Sequence, residues 1–176
     1  MKKHTIKIGS TDPDFNIESL DFSDPVLQPY LGVLSRKVDL LEGCRGSLEL
    51  LILKGHLVIE YFLNEIINTS IPYGQKYLID NLNFSKKINL VKRSNFIQED
   101  AVLFIIELNK IRNKCAHRLD YVVSDDDLDI LGSTVSSDYV KIKVLNNKED
   151  TLINLLNSII LNLVYDIYKH KKQKGS

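Results

Sequence analysis

The chain has 176 residues, 44% of them hydrophobic and 26% charged, which suits one domain built around a single core. Its 23 Lys and Arg balance 23 Asp and Glu, so the formal net charge is zero. That balance argues against a protein whose main task is to coat nucleic acid, while leaving room for a local basic site.

The two cysteines, Cys44 and Cys115, lie far apart and form no CxxC, so neither a zinc knuckle nor a disulfide framework is expected. Met1 to Ser10 lacks the apolar core of a signal peptide, and no apolar run is read as reaching membrane-spanning length. The expected setting is cytoplasmic, with no membrane partner.

Residues 1–24 mix Gly, Ser, Thr, Asp and Pro with scattered apolars and read as an extended arm, with Phe15, Ile17 and Leu20 available to pack down. Residues 25–172 read as a single helical domain and 173–176 as a tail. Asp24-Pro25 has the form of a helix start, and the first helix should run to about Leu41 with Pro29 near its beginning. Gly43 and Gly46 bracket a short turn.

The second helix has the clearest pattern. Leu48, Leu51, Ile52, Gly55, Ile59, Phe62, Leu63 and Ile66 fall at i, i+3, i+4 spacing. Leu50, Leu53, Leu57, Val58 and Tyr61 make its other faces apolar too, which marks a central helix. His56, Glu60 and Asn64 stand four apart on one narrow polar line. Pro72 and Gly74 follow its end. Tyr77 to Leu82 could form a helical turn or two, and Ser85 could cap a short helix through Val91.

A further long helix is expected over Ile97 to Arg118. Phe104, Leu108, Ile111 and Cys115 form its core stripe. At about 100° per residue, Asn109, Arg112, Asn113, Ala116 and His117 centre roughly 125° from that stripe, as a second, polar face. An acidic loop with Asp125, Asp126, Asp127 and Asp129 comes next, and Ser124 followed by Asp127 fits a helix cap. Asp138 to Leu145 alternates as a short strand would. Lys148 to Lys169 forms the last helix, burying Leu152, Leu155, Leu156, Ile159, Leu163, Val164 and Ile167, and the KHKKQK end after it should fray. Four substantial helices with short to medium connections make an all-α, up-and-down bundle of four to five helices.

The stretch Glu107 to Arg118, ELNKIRNKCAHR, combines a cation, an amide and a titratable imidazole where the helix leaves its apolar run. Arg112-Asn-Lys-Cys-Ala-His117, preceded by GHLVIEYFLNEII, resembles the R-x4-6-H motif of the HEPN superfamily of small helical bundles. In look it is most similar to the branch containing the mannitol operon repressor. The similarity covers roughly Leu48 to Arg118. The resemblance implies a homodimer in which two such motifs face each other, with Arg112 and His117 as a catalytic pair for metal-independent RNA cleavage and Asn113 in support. It also implies a role in defence or stress, with an antitoxin or other regulatory protein as partner. Where the toxins controlled by a nucleotidyltransferase carry R-x4-H-x-Y, this chain has Leu119, and the nearest tyrosine is Tyr121. The mannitol-repressor-like branch implies the alternative, a non-catalytic regulator of transcription working through protein contacts.

The residue chemistry is compatible with cleavage. RNA is cut without metal when its 2′-hydroxyl is deprotonated and attacks the neighbouring phosphate. Histidine is a base of suitable strength, and a guanidinium can donate two bonds to the phosphorane oxygens. His117 and Arg112 would fill these roles, with no cofactor and no metal. A plain structural account competes, since histidine is favoured in a helix's last turn and Arg112 could pair with Glu60 or Glu107.

His56 and Glu60, four apart on the central helix, would need further ligands to hold a metal; instead Glu60 could orient Arg112, or His56 could be a satisfied core group, and with Asn109 they are the supporting set. Cys115 reads as a small buried hydrophobe. From Lys86 to Arg118 there are eight basic residues (Lys86, Lys87, Lys92, Arg93, Lys110, Arg112, Lys114, Arg118) against three acids. Lys110, Lys114 and Arg118 would contact RNA if this charge gathers near Arg112, and otherwise the run is a solvated face. The Asp125–Asp129 cluster lacks calcium-loop spacing. It reads as a solvated loop or as a gate that keeps RNA away.

Overall fold

The computed structural model describes residues 20–70, 81–135, 139, 143 and 147–175. Among these the chain is all-helical, with six helices and no strand. The helices are α1 (Gln28–Glu42), α2 (Leu48–Ser70), α3 (Phe84–Arg93), α4 (Glu99–His117), α5 (Asp125–Val135) and α6 (Lys148–Gly175).

Asp24-Pro25 makes a turn ahead of α1, and the helix itself starts three residues later than its sequence implies. The Asp24 carboxylate accepts the Val26 N–H at 2.8 Å, and its carbonyl accepts those of Leu27 and Gln28 at 3.0 Å. Pro29, which needs no N–H partner, sits in the first turn. Of the arm, Leu20 packs against the core, and Phe15 and Ile17 lie outside the described residues. The α1–α2 turn uses Gly46 at φ 100°, a conformation that suits a residue without Cβ. Ser47 then caps α2 by accepting the Leu50 N–H at 3.1 Å.

α2 is the central helix. Leu51, Ile52, Val58, Ile59, Phe62, Leu63, Ile66 and Ile67 are all buried. Its apolar character is not buried on every side, because Leu50 and Leu57 face solvent. α6 lies along α2 at a close approach set by Gly55, where a Cβ would come within 2.7 Å of the Leu156 methyls. The two run parallel: Arg45, just before α2, pairs with Asp150 in the first turn of α6, and Lys174 near the end of α6 donates to the Thr69 carbonyl at the end of α2. α4 crosses back, antiparallel.

Other expectations meet specific corrections. The cap of α3 is Asn83, which accepts the Lys86 N–H at 3.0 Å, and Ser85 lies inside the helix. Phe84, Lys87, Ile88 and Val91 form the inner side of α3. Ser124 and Asp127 do form a reciprocal cap, so the expected acidic loop is instead the first turn of α5. Of Asp138 to Leu145, read as a strand, only Tyr139 and Lys143 are described, and both are helical. Tyr77 to Asp80 lies outside the described residues.

The KHKKQK end does not fray, because α6 continues through Gly175. Lys172 pairs with Asp24 at 2.6 Å, and the His170 ring contacts that of Phe96 at 4.1 Å. α6 is also long and apolar enough, by length and composition alone, to cross a membrane, which corrects the reading that no run reaches that length. Most of that window, 61%, is buried within the bundle. Its apolar side chains serve the core.

Candidate functional site

The last two turns of α4 carry the residues singled out in the sequence. The core side of the helix holds Phe104, Ile105, Leu108 and Ile111, and this fixes its rotation. With that rotation set, Asn109 and Arg112 are half-buried, while Asn113, Ala116, His117 and Arg118 are exposed. The polar face is therefore split by depth. Arg112 and His117 are five residues apart, which places them about 140° apart around the axis and about 7.5 Å along it. A single chain does not set them side by side.

Behind this face stands a buried imidazole. His56 is 3% exposed, with Nε2 at 3.1 Å from Asn109 Oδ1 and its ring 3.9 Å from that of Phe84. Burial pushes its pKa below the ordinary 6.5. The Asn109 bond acts in the opposite sense, and the nearby Arg112 charge adds to the lowering. His56, Asn109 and Arg112 are thus brought together across α2 and α4.

Glu60 lies near His56 but is not paired with Arg112. The Lys87 ammonium donates to Glu60 Oε1 at 2.7 Å, so the carboxylate expected to orient Arg112 is engaged with α3. Glu107, the other acid considered for Arg112, takes Lys110 at 2.7 Å. Among the described residues Arg112 makes no ion pair, and its Nη1 donates to Asn113 Oδ1 at 3.1 Å. The His117 side chain, in the last turn, likewise makes no hydrogen bond or ion pair among them.

Several members of the basic run from Lys86 to Arg118 are engaged elsewhere than at Arg112. Lys87 is buried. Lys110 is held by Glu107, and Lys114 by Asp127 at 3.1 Å. Arg118 is the exposed C-cap of α4.

Sequence reasoning did not find the knot that closes the segment after His117. Asp127 is buried and accepts from the Tyr121 hydroxyl, from Ser124 through both N–H and hydroxyl, and from Lys114. Burial opposes its ionisation, but these donors outweigh burial and hold the carboxyl at about 2. Glu49 at the start of α2 accepts the Val123 N–H at 3.1 Å and anchors the same segment. The Ser124–Asp127 spacing signalled a cap, but nothing in the sequence pointed to Tyr121 or Glu49. Cys115 is half-buried, and burial, with Glu49 and Asp127 nearby, pushes its thiol up to about 11. The shift disfavours the nucleophilic thiolate at neutral pH.

Among the described residues no three His, Cys, Asp or Glu side chains converge as a metal site. Compared with models of known protein families, with curated proteins and with solved structures, the chain matches none.

Proposed function

We propose that this chain is a HEPN-type, metal-independent endoribonuclease, a toxin-like effector in defence or stress that cleaves RNA at a composite site in a homodimer. The observation that carries the reading is the end of α4. Half-buried Arg112 and exposed Asn113, His117 and Arg118 stand there with no carboxylate paired to them among the described residues. Both carboxylates expected to pair with Arg112 are taken by lysines, so its guanidinium charge remains free to meet a phosphate.

In this reading His117 removes the proton from the 2′-hydroxyl. The resulting oxygen attacks the adjacent phosphorus, and Arg112 stabilises the charge on the phosphorane oxygens. The bond to the 5′-oxygen breaks, and that oxygen takes a proton from a second His117. The products are a 2′,3′-cyclic phosphate and a 5′-hydroxyl. The divergence of Arg112 and His117 around α4 supports a reading in which a second copy contributes to each site. Each site would be completed across the dimer.

The test is cleavage of a labelled mixed-sequence RNA in EDTA by wild type and by His117→Ala, with matched circular dichroism. Cutting by wild type alone, leaving cyclic-phosphate ends, supports the reading. A 3′-hydroxyl product, or loss of wild-type activity on chelation, refutes it. A second reading, a non-catalytic regulator working through protein contacts, is favoured by Leu119 and Val122. These apolar side chains are 110% and 72% exposed directly after His117. Absence of cutting by either protein favours that reading.

A further inference from the structure

The bond between His56 and Asn109 has a direction, and the direction decides what the α4 face offers to a ligand. His56 Nδ1 is buried and has no partner. If the ring proton were on Nδ1, a donor would be buried with nothing to accept it. With the proton on Nε2, the bond to Asn109 Oδ1 forms and only a lone pair on Nδ1 is left over. Orphaned N–H donors are the rarer and more costly case, so the Nε2–H tautomer is the resident one. The desolvated, neutral ring is consistent with this.

The consequence falls on Asn109. Its oxygen is held by the core imidazole at 3.1 Å, which leaves its two amide N–H groups without a protein acceptor among the described residues. Arg112 lies one turn further along α4. Its Nη1 is held by Asn113 Oδ1 at 3.1 Å, which in the same way leaves the Asn113 amide nitrogen over. Two carboxamides on either side of a guanidinium thus commit their oxygens to protein donors and keep their nitrogens. The face offers donors and a positive charge with no paired carboxylate, which is the chemistry of an oxyanion site.

We infer that His56 is a positioning residue: it locks the Asn109 carboxamide so that its N–H groups, beside the Arg112 guanidinium, bind a phosphodiester oxyanion. The identity of the ligand rests on the ribonuclease reading above, and the geometry does not. The charged groups facing His56 are Arg112 from α4 and Glu60 on its own helix, the latter neutralised by Lys87 of α3.

Sulfate is the probe, read by side-chain amide and guanidinium signals in nitrogen-15 NMR of the full chain. In wild type, sulfate should move the Asn109 carboxamide and Arg112 Nε–H signals. His56→Leu should weaken sulfate binding about fivefold, the worth of one orienting hydrogen bond. His56→Gln, which can still donate to Asn109 Oδ1, should restore it. Asn109→Asp keeps the acceptor that His56 needs but replaces the outward donor with a carboxylate oxygen, and should abolish binding with unchanged circular dichroism. This variant carries the test if His56→Leu does not fold. Wild-type affinity in folded His56→Leu or in Asn109→Asp, or an Asn109 amide that ignores sulfate, overturns the inference. RNA cleavage is measured in parallel. A chain that shows this sulfate pattern but cuts no RNA fails as a ribonuclease and keeps the His56 assignment. A chain that cuts RNA without the pattern does the reverse.

Discussion

The Lys87 ammonium donates to Glu60 Oε1 at 2.7 Å, joining α3 to α2 and taking one of the two acids expected to pair with Arg112. The Lys87 side chain is 7% exposed and that of Glu60 27%, so the two partners are not equivalent. Glu60→Gln strands a desolvated ammonium and should lower stability by about 3 kcal/mol. Lys87→Met leaves a carboxylate that can still reach water, and should cost about 1 kcal/mol. Urea denaturation of both variants and of the double mutant measures this. A neutral Glu60→Gln would show the pair contributes nothing.

Asp127 should make a recognisable acid signature. Its carboxyl is held at about 2 against an ordinary 3.8, because donors from Tyr121, Ser124 and Lys114 outweigh burial. The ionised form is favoured in the folded state. Its contribution is therefore complete above the ordinary value and fades as pH falls from 3.8 towards about 2. Asp127→Ala should lose about 2 kcal/mol at pH 7, as expected for a lost cap with further donors. The gap between the two proteins should narrow below pH 4, within the 3.8-to-2 window. A gap that stays constant down to pH 2 would contradict this account.

Gly55 sets the distance between α2 and α6. Alanine is the better helix former by about 1 kcal/mol, but its Cβ would lie 2.7 Å from both Leu156 methyls, and Leu156 is fully buried. Gly55→Ala should therefore be destabilising by about 1–2 kcal/mol net. Leu156→Ala should relieve the clash, so that the double mutant is more stable than the sum of the singles. Thermal unfolding tests both signs, and a stabilising Gly55→Ala would mean the helices can separate freely.

If the α4 end is catalytic, Arg112→Lys should not rescue it. A lysine keeps the charge but loses the planar fork and the bond to Asn113 Oδ1. RNA cleavage should fall by on the order of 100-fold with stability unchanged, since Arg112 makes no ion pair among the described residues. Full activity in Arg112→Lys would remove oriented guanidinium contacts from the mechanism.

The sequence by itself determined the helical class, the centrality of α2, the core stripes of α4 and α6 and the Ser124–Asp127 cap. Each depends on a local period or a short-range hydrogen bond, and both are readable over a few residues. The i, i+3, i+4 spacing also carries a signal in α3. Lys87 falls in register with Phe84, Ile88 and Val91, and an ammonium at that position turns inward only if a carboxylate meets it.

Tertiary structure alone decided which carboxylate that would be. It brought Glu60 to Lys87, Asn109 to His56 and Glu49 to Val123, whereas Glu107 meets Lys110 three residues along the same helix. Partner choice among several nearby charges depends on the rotation and spacing of whole helices, here set by contacts such as Gly55 on Leu156. A basic run counted along the chain was divided in the same way, with Lys87 inside, Lys110 and Lys114 neutralised and Arg118 in solvent. Spacing in sequence placed these groups on helix faces, and apart from the local Glu107–Lys110 pair the packing of one helix against another determined which of them were paired.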